Sequence, residues 1–79
     1  MNKTYYYPAV FTKEEIGFSV SFPDLPGCYT QGDTIEEAYK MSTSAIGLYA
    51  QNEDGNFVFP EASAPDVIEL KKDEFLVLV

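Results

Sequence analysis

The stretch VSFPDLPGCYTQGDTIEE, residues 20–37, decides how this chain folds. It begins in a strand of alternating polarity, turns at Pro-Asp-Leu-Pro-Gly, returns as a short second strand and enters a capped helix. Pro26 and Gly27 suit the two central positions of a type II turn, because glycine readily adopts the positive φ needed at the second position. Residues 29–32 are therefore predicted to pair antiparallel with the strand that ends before Pro23.

A helix is predicted to begin at Asp33 or Thr34. Thr34 as N-cap with Glu37 three residues later matches a capping box, and Asp33 is the alternative cap. The residues that follow recur at helical spacing and are mostly apolar: Ile35, Ala38, Tyr39, Ser42, Ala45, Ile46 and Tyr49. The helix should end near Asn52. Gly47 costs about 1 kcal/mol relative to alanine in a helix, and a close backbone contact would account for it.

Two strands are predicted before this stretch. Residues 4–12 are rich in strand-forming residues on both faces, and Pro8 is expected at a sheet edge or a bulge because it cannot donate a ladder hydrogen bond. A polar connection leads to residues 16–22, where Ile16, Phe18, Val20 and Phe22 alternate with small polar residues. We expect these four apolar side chains to pack against Ile35, Ala38, Tyr39, Ile46 and Tyr49 of the helix.

The rest of the chain predicts one more strand. Residues 56–66 contain two prolines and read as an irregular connection, held to the body by Phe57 and Phe59, and residues 67–70 are expected to be briefly extended. Residues 75–79 are all apolar, which is typical of a strand at the centre of a sheet or paired with another chain. The order β-β-β-α-β predicts an α+β fold, a mostly antiparallel sheet with one main helix on one face.

Composition limits the classes of function. Seventy-nine residues are expected to form a single domain, residues 1–79, and Cys28 is the only cysteine, so no disulfide can form within the chain. Histidine is absent, and Cys28 has no neighbouring base, so we interpret it as a small buried hydrophobic residue. No apolar run approaches the roughly 18–20 residues of a membrane span, and no signal peptide is recognisable. We expect a cytoplasmic protein without membrane contact.

The net charge of −8 comes from thirteen acidic residues, five lysines and no arginine. Proteins bind nucleic acid by neutralising phosphates with lysine and arginine, so direct nucleic-acid binding by this domain is not expected. An acidic surface suits a basic protein partner, and it also maintains solubility without any partner.

Several of these residues carry a family resemblance. SFPDLPGC at residues 21–28, QGDT at residues 31–34 and EEA at residues 36–38 are similar to the signature of the HicB-like antitoxin family. With the tyrosine-rich first strand, the resemblance covers roughly residues 4–50. It implies a partial ribonuclease H-like fold and an antitoxin that occludes a small basic RNA-cleaving toxin of the HicA type, without enzymatic activity.

Members of that family usually carry a C-terminal helix-turn-helix or ribbon-helix-helix domain, and we expect none within these 79 residues. We expect either a shortened form of a longer protein or a stand-alone HicB-like protein. A homodimer or higher homo-oligomer is also expected, because apolar residues 75–79 would otherwise face water.

The candidate partner-binding residues are Asp24, Asp33, Glu36 and Glu37, which the predicted topology places near one end of the helix. Each of these acids could equally serve only to cap the helix and to keep the surface solvated. No catalytic, cofactor-binding or metal-binding residue is expected. Two alternative functions remain open: a self-associating domain without a toxin, and a ribonuclease H-like nuclease, which would need several carboxylates converging on metal ions.

Overall fold

The computed structural model describes residues 6–51 and 60–79. Its strands are β1 (Pro8–Lys13), β2 (Phe18–Ser21), β3 (Tyr29–Gly32) and β4 (Glu74–Leu78), and its one long helix is α1 (Ile35–Gln51). A short 3₁₀ helix covers Pro65–Val67. The strands form one antiparallel sheet in the order β3-β2-β1-β4. The predicted β-β-β-α-β arrangement is confirmed.

The core lies between α1 and one face of the sheet. Phe11 of β1 is opposite Val20 of β2 on one side and Phe75 of β4 on the other, so the three side chains share that face. The rings of Phe11 and Phe75 are 5.4 Å apart between centroids. The remaining buried members of the cluster are Tyr7, Ala9, Phe22, Leu25, Cys28, Ala38 and Val79.

Helix α1 packs mainly against β3 and to a lesser extent against β2. The closest approach is at Gly32, where an added Cβ would lie 2.4 Å from the backbone nitrogen of Ala38. One turn later Ser42 is fully buried, and its hydroxyl donates to the Ala38 carbonyl at 2.7 Å. Small residues on both elements therefore bring helix and strand backbones into contact.

The turns around β2 confirm one prediction and correct another. Cys28 N–H donates to the Leu25 carbonyl at 3.0 Å and Gly27 has φ 83°, as expected for a type II turn. Ile16, however, is 85% exposed and lies in the β1–β2 turn. Gly17 follows it with φ 78°, so β2 begins only at Phe18.

Pro8 is neither at a sheet edge nor in a bulge. It is the first residue of β1, an interior strand, and it is buried. Its register partner in β4 is Leu78, whereas β1 meets β2 only from Val10 onward. The missing N–H of Pro8 points to the side where β2 has already ended, so no ladder hydrogen bond is lost.

The helix stripe is only partly buried. Ala38 and Ser42 are fully buried, and Ala45, Ile46 and Tyr49 pack against the core. Ile35 and Tyr39 are exposed, which contradicts the predicted packing. Gly47 is also exposed, and an added Cβ would meet nothing within 4 Å, so close backbone contact does not explain this glycine.

Three predictions in the C-terminal part have different outcomes. Val67 lies in the 3₁₀ helix and not in an extended segment. Residues 1–5, Asn52, Phe57 and Phe59 lie outside the described residues, so the predicted start of the first strand and the two aromatic contacts are not described. Strand β4 is confirmed from Glu74, but among the described residues it lies at the edge of the sheet.

Candidate functional site

Three predicted partner-binding acids, Asp33, Glu36 and Glu37, are exposed at the start of α1. The side-chain oxygen of Thr34 accepts from the Glu37 N–H at 3.0 Å, which confirms Thr34 as the helix cap. The Glu37 carboxylate accepts from the Asp33 N–H at 3.5 Å. In a capping box the Glu37 carboxylate would accept from the N–H of the cap residue, Thr34. Here it accepts from the N–H of the preceding residue, Asp33, and the bond is long.

Asp24 does not join this group. Because β2 and β3 are antiparallel, the turn that holds Asp24 follows the pair Ser21 and Tyr29, whereas α1 starts beyond the opposite end of β3. Those ends are separated by about 10 Å of strand. The prediction that all four acids cluster at one end of the helix is wrong for Asp24.

The carboxylate of Asp24 is used inside the chain. Asp24 is half-buried, and one of its oxygens accepts from the Ser63 N–H at 2.8 Å while the other accepts from the Ser63 hydroxyl at 2.6 Å. These bonds attach residues 60–64 to the β2–β3 turn. Nearby, the Tyr7 hydroxyl donates to the Pro60 carbonyl and holds the same segment.

Glu14, and not Asp24, lies beside the acids at the start of the helix. The pairing of Phe18 with Gly32 brings the β1–β2 turn beside the start of α1. Between them is a depression of about 460 Å³, which we call the acidic depression. Its lining contains three acids, two polar residues and apolar or small residues: Glu14, Asp33, Glu37, Ser19, Gln31, Ile16, Phe18, Gly32 and Met41.

A second hollow, the α1–β3 groove, continues from the acidic depression. Its volume is about 230 Å³, and Met41 lines both hollows. Tyr29 and Leu48 in its lining are 72% and 58% exposed. The other lining residues are Gly27, Cys28, Thr30, Ser44, Ala45 and Tyr49. An acidic surface and an exposed apolar surface are therefore adjacent along β3.

Sequence reasoning missed this apolar surface, although a signal was present. Met41 and Leu48 are seven residues apart and thus on the same side of α1, next to the buried stripe. The predicted packing includes only the central stripe of α1, and both residues lie outside that stripe.

The acidic residues and the single cysteine are the groups of residues 6–51 and 60–79 that metal or thiol chemistry would use. In that part of the chain, no group of three or more acidic, cysteine or histidine residues is placed to hold a metal ion. Burial raises the pKa of the Cys28 thiol, which therefore stays protonated at neutral pH. Within the same residues, no helix is long and apolar enough to cross a membrane. The arrangement is an acidic surface next to an exposed apolar surface.

Comparison with known proteins indicates one family. A family model described as the HicB_like antitoxin of bacterial toxin-antitoxin system matches residues 6–76, which include every strand except the last residues of β4.

Individual relatives match shorter stretches. The protein named antitoxin HicB 2 from Photorhabdus laumondii is 46% identical over 46 residues, which are 58% of this chain and 33% of that protein. Antitoxin HicB 1 from the same organism is 58% identical over 33 residues, 42% of this chain and 21% of that protein. A UPF0150 protein from Archaeoglobus fulgidus is 37% identical over 57 residues, covering 66% of this chain and 83% of that protein. The chain thus spans a third or less of the two HicB antitoxins.

Proposed function

The chain belongs to the HicB_like antitoxin family of bacterial toxin-antitoxin systems, and from that premise we propose that it binds and occludes a small basic RNA-cleaving toxin of the HicA type. The observation that carries the proposal is the junction at Met41 of the acidic depression with the α1–β3 groove. The chain acts in this proposal as a binding protein and not as an enzyme. Similarity to two proteins named antitoxin HicB supports it.

The acids that contact the toxin are those at the start of the helix, Asp33, Glu36 and Glu37, together with Glu14 from the β1–β2 turn. All four are exposed, and no cation in the described residues forms an ion pair with them. Asp24 is assigned an internal role instead, because a partner could reach its carboxylate only in competition with Ser63.

The chain blocks the toxin by binding the cationic side chains that would otherwise bind RNA. A ribonuclease holds the phosphates of its substrate with lysine and arginine side chains. Carboxylates placed on those cations exclude RNA, while exposed charge pairs mainly set the association rate and the specificity. The exposed apolar residues Ile16, Met41 and Leu48 add buried area and hence affinity.

The decisive experiment mixes this chain with a small basic RNA-cleaving protein of the HicA type and measures the association rate and the residual RNA cleavage. Neutralising three acids together, Asp33→Asn, Glu36→Gln and Glu37→Gln, should slow association and flatten its dependence on salt, because exposed charges are screened beyond about 8 Å at physiological ionic strength. Thr34 is unchanged in this variant, so the helix cap is retained.

A matched control removes the same charge elsewhere. Glu61→Gln, Asp66→Asn and Glu69→Gln neutralise three exposed acids of the segment before β4. If net charge alone steers the toxin, both triple variants will slow association equally. The proposal requires a clearly larger effect from the triple variant at the helix start.

The apolar part of the surface has its own test. Leu48→Ser should increase the dissociation rate with little change in the association rate, since Leu48 is exposed and carries no charge. Val67→Ser is the control, because Val67 is 68% exposed and lies outside both hollows.

Undiminished RNA cleavage by the basic protein in the presence of excess chain would refute the antitoxin proposal. A domain that self-associates without a toxin would then be the better account. RNA cleavage by this chain alone with added Mg²⁺ would support the nuclease alternative, which no geometry in the described residues favours.

A further inference from the structure

Four residues of α1 that line the α1–β3 groove have the spacing by which one helix receives a side chain of another helix. They are at positions i, i+3, i+4 and i+7, so they enclose one hole on the helix surface: Met41, Ser44, Ala45 and Leu48. Met41 and Leu48 are large and exposed, whereas the two residues between them are small. In helix–helix packing, a side chain of one helix inserts into a hole formed by four residues of the other.

The turn before β3 and the first residues of β3 line the other side of the groove. They are Gly27, Cys28, Tyr29 and Thr30, of which Tyr29 is exposed. A side chain that enters the hole from outside can therefore contact α1 and β3 together. The described residues of the lining carry no formal charge, so the groove suits an apolar side chain.

Acidic residues adjoin the groove at the end marked by Met41. Glu37 is one turn before Met41 on α1 and lines the acidic depression together with Glu14 and Asp33. Lys40, the one cation in the sequence of α1, lines neither hollow. A partner element that fills the groove and continues past Met41 therefore meets negative charge, which lysine or arginine complements.

We propose that the α1–β3 groove receives an amphipathic helix of the basic partner, antiparallel to α1, with an apolar side chain in the hole and lysine or arginine in its last turn beside Glu37. Cations are favourable in the last turn of a helix because they complement its dipole. The acids of α1 are in its first turn, so the antiparallel direction brings the two charged ends together. This inference rests on the proposed function for the identity of the partner and adds the element by which the partner docks.

Filling the hole is the first test. Ser44 is exposed, so Ser44→Leu should leave the domain folded while its side chain occupies the space between Met41 and Leu48. Thr43→Leu is the matched control, because Thr43 is exposed on α1 and lines neither hollow. Melting curves check that both variants are folded.

The two variants should differ in affinity for a small basic RNA-cleaving protein of the HicA type. We expect Ser44→Leu to raise the Kd about tenfold, which corresponds to about 1.4 kcal/mol, and Thr43→Leu to leave it nearly unchanged. Both variants add the same apolar side chain to α1. General hydrophobic attraction would therefore strengthen binding in both, which is the opposite of the result expected for Ser44→Leu.

A synthetic peptide tests the docking element without the toxin. It has about 14 residues, enough for a marginal helix, with leucines at helical spacing on one side and arginines in the last turn. Its titration into isotope-labelled chain should shift the amide signals of Glu37, Met41, Ser44 and Leu48. A spin label at the C-terminus of the peptide should broaden the signal of Glu37 and spare that of Leu48. The same peptide with glutamine in place of arginine should bind about tenfold more weakly at low salt.

Two results would overturn the inference. One is equal affinity of the basic protein for wild type and for a folded Ser44→Leu variant, which would leave the proposed function in place. The other is a peptide that leaves the groove signals unshifted, or whose labelled C-terminus broadens Leu48 in place of Glu37. A peptide that docks as expected on a chain to which the basic protein does not bind would refute the proposed function alone.

Discussion

Gly32 and Ala38 place the backbones of β3 and α1 in direct contact. A Cβ on Gly32 would lie 2.4 Å from the Ala38 nitrogen and 2.7 Å from its Cα. Both obstructing atoms are backbone atoms, which no rotamer change can move. This contact seats the helix start on the sheet and so fixes the position of Asp33 and Glu37 relative to the β1–β2 turn.

Gly32→Ala should therefore destabilise the fold. Overpacking a core by one methyl group costs about 1–3 kcal/mol, and occasionally more where backbone must move. Urea denaturation followed by circular dichroism measures the loss. A variant as stable as the wild type would show that α1 can shift from β3 without cost.

Gly47→Ala is the matched variant with the opposite expected sign. Gly47 is exposed in the helix, and an added Cβ meets nothing within 4 Å. Alanine there should stabilise the domain by about 1 kcal/mol, since glycine is the poorer helix former. The same denaturation series tests both variants, and a loss of stability in Gly47→Ala would contradict the exposed position of Gly47.

Local signals in the sequence predicted the local structure well. The Pro26-Gly27 turn, the bounds of β3 and the cap at Thr34 depend on the backbone preferences of a few adjacent residues, and all are confirmed. The prediction for Ile16 was wrong because the alternating pattern continues through Gly17, whose positive φ belongs to the turn, so the strand starts at Phe18, two residues later than predicted. Apolar periodicity alone does not reveal that interruption.

The incorrect predictions at the candidate site concern how the helix and the strands pack together. Ile35 and Tyr39 fit the helical stripe, but α1 lies mainly over β3 and β2, so only one side of the stripe is covered. The grouping of Asp24 with the helix acids ignored the antiparallel pairing of β2 and β3. That pairing puts Asp24 at one end of the hairpin and Glu14 beside the helix start at the other.

Thr34→Ala should cost about 1 kcal/mol of stability, because it leaves the Glu37 N–H at the helix start without its partner. Asp33→Ala is the comparison, since the Asp33 side chain is exposed and Thr34 provides the cap. Equal losses in the two variants would contradict the assignment of Thr34 as cap.

Cys28 gives the domain a pH dependence in alkaline solution. Burial raises the pKa of its thiol, so the folded chain keeps the thiol proton to a higher pH than the unfolded chain does. Its contribution to stability is complete below the ordinary thiol pKa of about 8.5. It is lost as the pH rises through the folded-state value. The difference in unfolding free energy between wild type and Cys28→Ala should therefore shrink with rising alkaline pH, and a constant difference would contradict this.

The bond between Asp24 and Ser63 separates a structural role from a partner-binding role. Asp24→Asn keeps one acceptor oxygen for the Ser63 N–H, and its NH₂ group can donate to the Ser63 hydroxyl oxygen, so both bonds can remain but their charged partner is lost. Hydrogen bonds to charged groups contribute about 1.5–3 kcal/mol, whereas neutral ones contribute about 0.5–1.5 kcal/mol. We expect a loss of stability of about 1–2 kcal/mol, together with faster exchange of the Ser63 amide.

Ser63→Ala provides the control for this substitution. It removes only the hydroxyl donor and should cost about 1 kcal/mol. The double variant should lose less than the sum of the two single losses, since both substitutions act on the bond between the same two side chains. The association rate with the basic protein then decides between the roles. If Asp24 has only a structural role, Asp24→Asn leaves the association rate unchanged. A slower association rate with unchanged stability would show that Asp24 belongs to the partner-binding surface.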